Sequence, residues 1–399
     1  MISYKAFEAM SRRRVLGMLP SLLCLAPHAS ALDAKAVLVG IDAEFGLVNS
    51  TSAQAIELGA RVAIAQINKA GGVLGGRLMA LLTRDNRSIP ARGIKNIKEF
   101  AAMPELVAVL GGRFSPVIIE QLPLLKEVGL PFLAVWSAAD AIVDNASQPN
   151  FVFRVSLRDS LAMPFLLQSA RLRGFTEVGL MLTNTAWGRS NEIAIQKHNA
   201  TKALPVVVDT TWYNWQEPSL VERYRKLLAA GAKAIILVAN DEEAALLVRE
   251  MGELPPAQRI PIISHWGVTG GRFFAAAGPA LRGVDFSVVQ TFSFARARKP
   301  PLQRFMRVAQ DFGVRRIEEI ESPVGVAHAY DAVHLLAKAV QLAGSTERGA
   351  LRTALENLPS HEGLVRRYAP AFTAARHEAL DGQQLLMAHY RDDGVLTPV

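Results

Sequence analysis

The sequence predicts an α/β fold: two doubly wound parallel-sheet lobes joined by a hinge. Length, a strand–helix alternation and a restart of that alternation near the middle predict it. At 399 residues, the chain is too long for one ordinary core and suits two lobes of about 150 residues each. Half of the residues are hydrophobic and a fifth are charged, the balance of an ordinary folded chain.

The elements follow in order. Residues 36–41 form an apolar run of strand length, and 52–70 carry apolar residues at helical spacing. A strand at 78–83, a helix at 90–103 and a strand at 107–110 come next. Residues 115–128 read as a helix, with Pro116 suited to a first turn where its missing N–H has no helical partner. A strand at 131–135 closes the first series. After a break at 150–160 the order restarts, with strands at 178–182, 206–211, 234–238 and 260–264 separated by helices at 190–200, 219–230 and 242–251. A strand at 284–292, a long helix at 324–343 and a tail strand at 384–390, free to join either lobe, complete the pattern. Such alternation implies parallel sheets with right-handed crossovers.

The first thirty residues read as an address rather than as structure. Arg12-Arg13-Arg14 precede an apolar stretch at 16–25 and then Ala29-Ser30-Ala31, the three parts of a signal peptide. The apolar run is half the length needed to span a bilayer. Cleavage is expected after Ala31, through a general secretory or a twin-arginine route. The single cysteine, Cys24, lies in this leader behind bulky Leu22-Leu23, which disfavours lipid attachment. A mature chain from residue 32 therefore has no disulfide or thiolate metal site, and with no later run of eighteen apolar residues it is not membrane-embedded. The formal charge of +8 includes +3 from the leader, and the remaining basic residues are scattered. Nucleic-acid binding would want a basic stripe interleaved with aromatics; none is present.

In open parallel sheets, ligands sit beyond the carboxyl ends of the strands. Those positions are 42–46, 111–115, 136–140, 184–188, 240–242 and 265–270. If two lobes face each other, these loops line one cleft. The candidate ligand-binding residues are Phe114, Ser115, Trp136, Ser137, Ala138, Trp187, Asn240, Asp241, His265 and Trp266. Three of the five tryptophans fall in these loops, and indole faces stack on flat ligands or hold cations. An aromatic, heterocyclic or amine-bearing ligand is expected. A tryptophan is more often a core residue, but core residues lie within elements rather than just beyond their ends. Trp212 and Trp215 carry no expectation.

Residues 55–85 read AIELGARVAIAQINKAGGVLGGRLMALLTRD. Gly71-Gly72 and Gly75-Gly76 permit the positive φ angles of a helix stop and a tight turn. A phosphate loop would need Lys-Ser/Thr after the last glycine, whereas Arg77-Leu78 follows. Further marks are Gly111-Gly112 with Ser115, Gly129-Leu130-Pro131, Phe151-Val152-Phe153-Arg154, Trp187-Gly188-Arg189, Ala277-Gly278 with Gly283-Val284, and Tyr330-Asp331-Ala332-Val333. In this order the marks resemble the leucine/isoleucine/valine-binding family of periplasmic proteins, over essentially the whole mature chain. The resemblance implies a type I periplasmic binding protein, with lobe one near 32–156 plus 290–378 and lobe two near 157–289 plus 379–399. It also implies a small-molecule ligand captured by hinge closure, and a partner in the inner-membrane permease of an ABC importer. A sensory protein docking on a membrane receptor is the alternative.

The resemblance assigns site roles residue by residue. Ser115 matches a serine that holds a ligand carboxylate at a helix start; without a ligand it would simply cap the helix. Trp136-Ser137-Ala138 departs from the pattern, with Ala138 where a threonine hydroxyl would be. Trp187 matches a ligand-covering tyrosine. Trp266 stands where an acidic residue grips the ligand amine, and Asp241 nearby is a candidate replacement or merely the first residue of its helix.

An enzyme has little support. None of the eight histidines sits in a metal spacing and no serine sits in Gly-x-Ser-x-Gly. Asp42 and Glu44 could pair but lack an evident partner, and His328 and His334 on the long helix read as structural. No cofactor is expected.

Overall fold

The computed structural model describes residues 36–199 and 205–399; the leader and Cys24 lie outside them. The first series builds one sheet and the second another. Strands β1 (Val37–Ala43), β2 (Met79–Asp85), β3 (Leu106–Gly111), β4 (Phe132–Ala134) and β5 (Val152–Arg154) pair in the order β2-β1-β3-β4-β5, all parallel. Helices α1 (Ser52–Lys69), α2 (Pro90–Ala101) and α3 (Ser115–Val128) connect them. Parallel strands covered on both faces read as near-continuous apolar runs, and every residue of β1 and β3 is buried.

The second sheet has the order β14-β13-β10-β9-β8-β6-β7. Its parallel part is β6 (Glu177–Thr183), β7 (Val206–Tyr213), β8 (Ala234–Val238), β9 (Ile262–Ser264) and β10 (Phe286–Gln290). Helices α4 (Asp159–Leu172), α5 (Ala186–Asn199), α6 (Val221–Ala229), α7 (Asp241–Gly252) and α8 (Phe273–Ala277) accompany it. Helices α9 (Lys299–Ala309), α10 (Pro323–Ala343) and α11 (Arg348–Glu356) follow, then the short pair β11 (His361–Glu362) and β12 (Arg367–Tyr368). The tail strand chooses the second sheet: β13 (Leu386–Tyr390) runs antiparallel to β10, and β14 (Leu396–Pro398) folds back on β13.

Two close approaches fix the frame. Helix α10 packs on α1 where a Cβ on Gly59 would lie 2.1 Å from the Val326 carbonyl oxygen, so only glycine fits. The turn after α1 has Gly71, Gly72, Gly75 and Gly76 all at positive φ, as their spacing predicts.

Some expectations are corrected. The break at 150–160 holds β5 and the start of α4, both unforeseen because β5 is only three residues long. Helix α5 begins four residues earlier than expected, so Trp187 occupies its first turn instead of a loop. Gly188 marks a close approach there, since its Cβ would lie 1.8 Å from the Thr183 carbonyl oxygen. Trp212 lies within β7.

Three segments pass between the two sheets: 155–158, 291–298 and 377–385. A buried ion pair ties the last of them to the end of β5, Arg154 donating to Glu378 at 2.8 Å while its backbone N–H bonds the His377 carbonyl.

Candidate functional site

Arg154 and Ser156 set the geometry of the loop at 136–140. The Arg154 guanidinium donates to the carbonyls of Ser137 and Ala139 at 3.2 and 2.9 Å, and the Ser156 hydroxyl to that of Trp136 at 2.9 Å. In a trans peptide the C=O and the following N–H point in opposite directions. Turning the carbonyls of Trp136 and Ser137 toward the hinge therefore turns the N–H groups of Ser137 and Ala138 away from it. The Ala139–Asp140 peptide has the same sense: its carbonyl is on Arg154, and Asp140 N–H reaches Ser190 Oγ on α5 at 3.0 Å, across the gap between lobes. Ser115, the first residue of α3, accepts from Ala139 N–H at 3.3 Å, while Ser137 donates to the Gly112 carbonyl at 2.7 Å.

The loops above the second sheet meet these from the other side. Trp136 and Trp266 lie with ring centroids 5.9 Å apart, and Trp266 is 5.6 Å from His328 on α10. Trp187 stands edge-on to His265 at 5.1 Å. All ten candidate residues are buried, and Trp136 and Trp266 are each 1% exposed. In this closed arrangement the two indoles are each other's neighbours, and Trp136 also fills the space above Gly325 of α10.

Histidine 265 has both ring nitrogens engaged. Its Nδ1 accepts from Trp266 N–H at 2.9 Å, so Nε2 carries the proton and donates to Asp159 Oδ1 at 3.1 Å. It orients its neighbours. Asp241 does begin α7, and it also receives Arg113 Nη1 at 2.7 Å from the opposite lobe. Asn240, just before α7, lies against Gly267, whose Cβ would come 3.1 Å from its Oδ1.

Four residues outside the candidate set join the site. Arg113 bridges Asp241 and Glu44, the latter at 3.8 Å, and covers the Phe114 ring at 4.7 Å. Glu44 is fully buried and accepts from Ser50 and Ser52. Trp215 meets Phe114 edge-on at 5.4 Å. Asp159, the first residue of α4, accepts from Trp187 Nε1 at 3.2 Å as well as from His265. Arg113 lies in a loop the fold logic had singled out; as one more scattered cation it gave no separate signal. Asp42 accepts from the side chains of Asn86, Asn96 and Gln121, and burial pushes its carboxyl up to about 6. It braces β1 against α2 and α3.

Further contacts cross between lobes. Thr51 N–H bonds the Gly270 carbonyl at 2.9 Å, Arg272 N–H the Asn49 carbonyl at 3.2 Å, and Ser322 Oγ the Thr269 carbonyl at 2.7 Å. Among the described residues no cluster of three or more potential metal ligands occurs, and no helix is long and apolar enough to cross a membrane.

Comparisons with known proteins agree on one architecture. A family model described as periplasmic binding protein matches residues 41–394. A Leu/Ile/Val-binding protein homolog 1 of Brucella suis biovar 1 is 24% identical over 350 residues, covering 82% of this chain and 86% of the relative. A periplasmic binding protein type 1 from Bordetella pertussis Tohama I superposes with a TM-score of 0.78 at 19% identity, covering 91% of this chain and all of that one. A branched-chain amino acid transporter substrate binding protein from Streptococcus pneumoniae, in complex with isoleucine, gives 0.75 at 18% identity, covering 92% and 99%. An ABC-transporter solute binding protein from Rhodopseudomonas palustris HaA2, in complex with p-hydroxybenzoic acid, gives 0.74 at 16% identity, covering 91% and 95%.

Proposed function

The chain belongs to the periplasmic binding protein family, and from that membership we propose that it is the solute-binding component of an ABC importer, capturing a small amino-acid-like, amide or aromatic/amine ligand by hinge closure. It works in the periplasm and is not an enzyme. One observation carries the assignment: loops from the carboxyl ends of two separate parallel sheets converge on one buried cluster between the lobes. Ligand that contacts both lobes stabilises the closed state through its differential affinity for it.

The roles follow from the contacts. Ser115 and the N–H groups of Ser137 and Ala138 present donors from lobe one for a ligand carboxylate or carbonyl, at the positive end of α3. Trp136, Trp187 and Trp266 supply flat walls, Phe114 supports Trp215, and Asn240 and Asp241 close the site from lobe two. Lobe one takes 32–156 and 290–378, and lobe two takes 157–289 and 379–399; strands β1–β5 in one sheet and β6–β10 with β13 and β14 in the other support this division. The leader is removed after Ala31, and the closed lobes dock on an inner-membrane permease.

The test is a thermal-shift screen of the mature protein over amino acids, aromatic acids, amides and quaternary amines, followed by titration. A ligand at a hundred times its Kd adds ~2.7 kcal/mol to the stability. Trp187→Ala and Ser115→Ala are expected to weaken it at least tenfold. Unchanged affinity in both variants refutes the site.

A further inference from the structure

A cavity of about 570 Å³ lies against the hinge, and none of the candidate ligand-binding residues lines it. That volume is within the range of small-molecule sites. Ile317 and Ile320 wall it from lobe one, Phe274 and Tyr390 from lobe two, and Phe292 and Phe294 from the crossing segment. Phe274 stacks on Tyr390 at 6.0 Å, and Phe292 meets Phe294 edge-on at 4.8 Å. Gln290, the last residue of β10, also lines the cavity and is 1% exposed. Its Nε2 donates to the Val289 carbonyl at 2.7 Å and to Thr269 Oγ1 at 3.5 Å, while its Oε1 has no hydrogen-bond partner among the described residues. Turning the amide over is no remedy. Oε1 would then face the Val289 carbonyl, and the Thr269 hydroxyl already donates to the Trp266 carbonyl at 2.8 Å. A buried acceptor without a donor is costly, and here it matches an N–H brought by a ligand. Charge points the same way. Glu318, Glu319, Glu321 and Asp393 line the cavity against Arg272 and Arg391. Glu319 pairs with Arg316 and Asp393 with Arg391, which leaves Glu318 and Glu321, without ion pairs among the described residues, against Arg272.

We propose that this cavity is a second binding site, for a small amphipathic amine, and that its occupant clamps the lobes closed. The apolar body packs on the aromatic walls, and the protonated nitrogen donates to Gln290 Oε1. The carboxylate surplus and the ring faces favour a cation over an alcohol or an acid of the same shape. Lobe one supplies residues 317–323 of the wall, and lobe two supplies 271–275 and 388–398. Opening the hinge separates these two walls. A ligand that needs both binds the closed form more tightly and shifts the population toward it. By linkage, it raises the affinity of the cleft for its solute by the factor that the solute raises its own. The site is independent of the solute in the cleft; the clamp rests on the hinge closure proposed above.

The test titrates phenethylamine, 2-phenylethanol and 3-phenylpropionate into the mature protein by calorimetry. Phenethylamine is expected to bind, and the alcohol and the acid to bind about tenfold or more weakly. Gln290→Leu removes the acceptor, and Ala275→Trp fills the cavity from an exposed position on α8 that leaves the core untouched. Each is expected to weaken phenethylamine about tenfold or more, while Trp187→Ala leaves it unchanged. Phenethylamine is also expected to slow hydrogen exchange at Thr51 N–H, which bonds the opposite lobe but does not line the cavity, in the parent and not in Ala275→Trp. Absent binding, equal binding of the acid or alcohol, or full affinity in both cavity variants overturns the site. Affinity lost in Trp187→Ala alone also overturns it, since the probe then sits in the cleft. Binding at the cavity with unchanged exchange at Thr51 overturns the clamp. If Arg113→Met, which removes an ion pair between the lobes, also leaves Thr51 unchanged, hinge closure itself has failed and takes the clamp with it, while the two cavity variants still decide the site.

Discussion

Replacing Arg113 with methionine tests what holds the lobes together. The guanidinium is 5% exposed and lies 2.7 Å from Asp241 on the far lobe and 3.8 Å from Glu44 on its own. Arg113→Met keeps much of the apolar stem over Phe114 and deletes the charge, leaving two buried carboxylates facing each other. Breaking a buried pair from one side costs ~3–5 kcal/mol. The molecule has an escape that a rigid core lacks: opening the hinge returns Asp241 and Glu44 to water. The cost therefore falls on closure rather than on unfolding. At about 1.4 kcal/mol per factor of ten, the closed-to-open ratio drops by about two to three and a half powers of ten. Two backbone amides report on this directly, because Thr51 N–H and Arg272 N–H each bond a carbonyl of the opposite lobe. Their hydrogen exchange is expected to accelerate at least a hundredfold in Arg113→Met, while amides inside β3 and β8 keep the protection of the parent. Unchanged exchange at Thr51 and Arg272 in the ligand-free variant refutes the idea that this ion pair closes the lobes.

Two further outcomes follow from packing and from titration. A Cβ on Gly325 would lie 2.6 Å from Cζ3 of Trp136, so Gly325→Ala forces the indole off its seat. The overpacking cost of about 1–3 kcal/mol offsets the helix-propensity gain of about 1 kcal/mol; urea titration showing a gain of that full size would mean the indole yields freely. His328 is fully buried, donates from Nδ1 to the Val135 carbonyl and accepts from Thr291, and burial lowers its pKa to about 4. Between pH 4 and about 6.5 the unfolded chain binds a proton that the folded one refuses. Its contribution is thus complete above that window and is lost as pH falls through it. Raised carboxyls at Asp42 and Asp331, both about 6, act in the opposite sense but equally in parent and variant. From pH 7 to pH 5 the parent is expected to lose about 2 kcal/mol more than His328→Asn, measured by urea titration; identical losses would contradict it.

The sequence by itself determined the two βα series, the glycine turn after α1, the helix starting at Ser115 and the loops from which the site is drawn. These features are local: periodicity, glycine and proline act within a few residues and fix backbone conformation and the face that is buried. Element ends were less legible, since a three-residue strand such as β5 has no period, and Gly188 signals a close approach that looks like a loop until Thr183 is placed against it. The tertiary structure alone decided partnership. Arg113 meets Asp241 across 128 residues of chain and Asp159 meets His265 across 106, distances at which composition and spacing carry no record of who faces whom. Trp136 and Trp266 likewise belong to loops that either solvent or a neighbour could cover, and closure of the hinge sets them against each other. A charge reads the same in sequence whether it is solvated or buried. Which polar atom lacks its partner is a property of the packed interior, where water is excluded and every polar atom needs one.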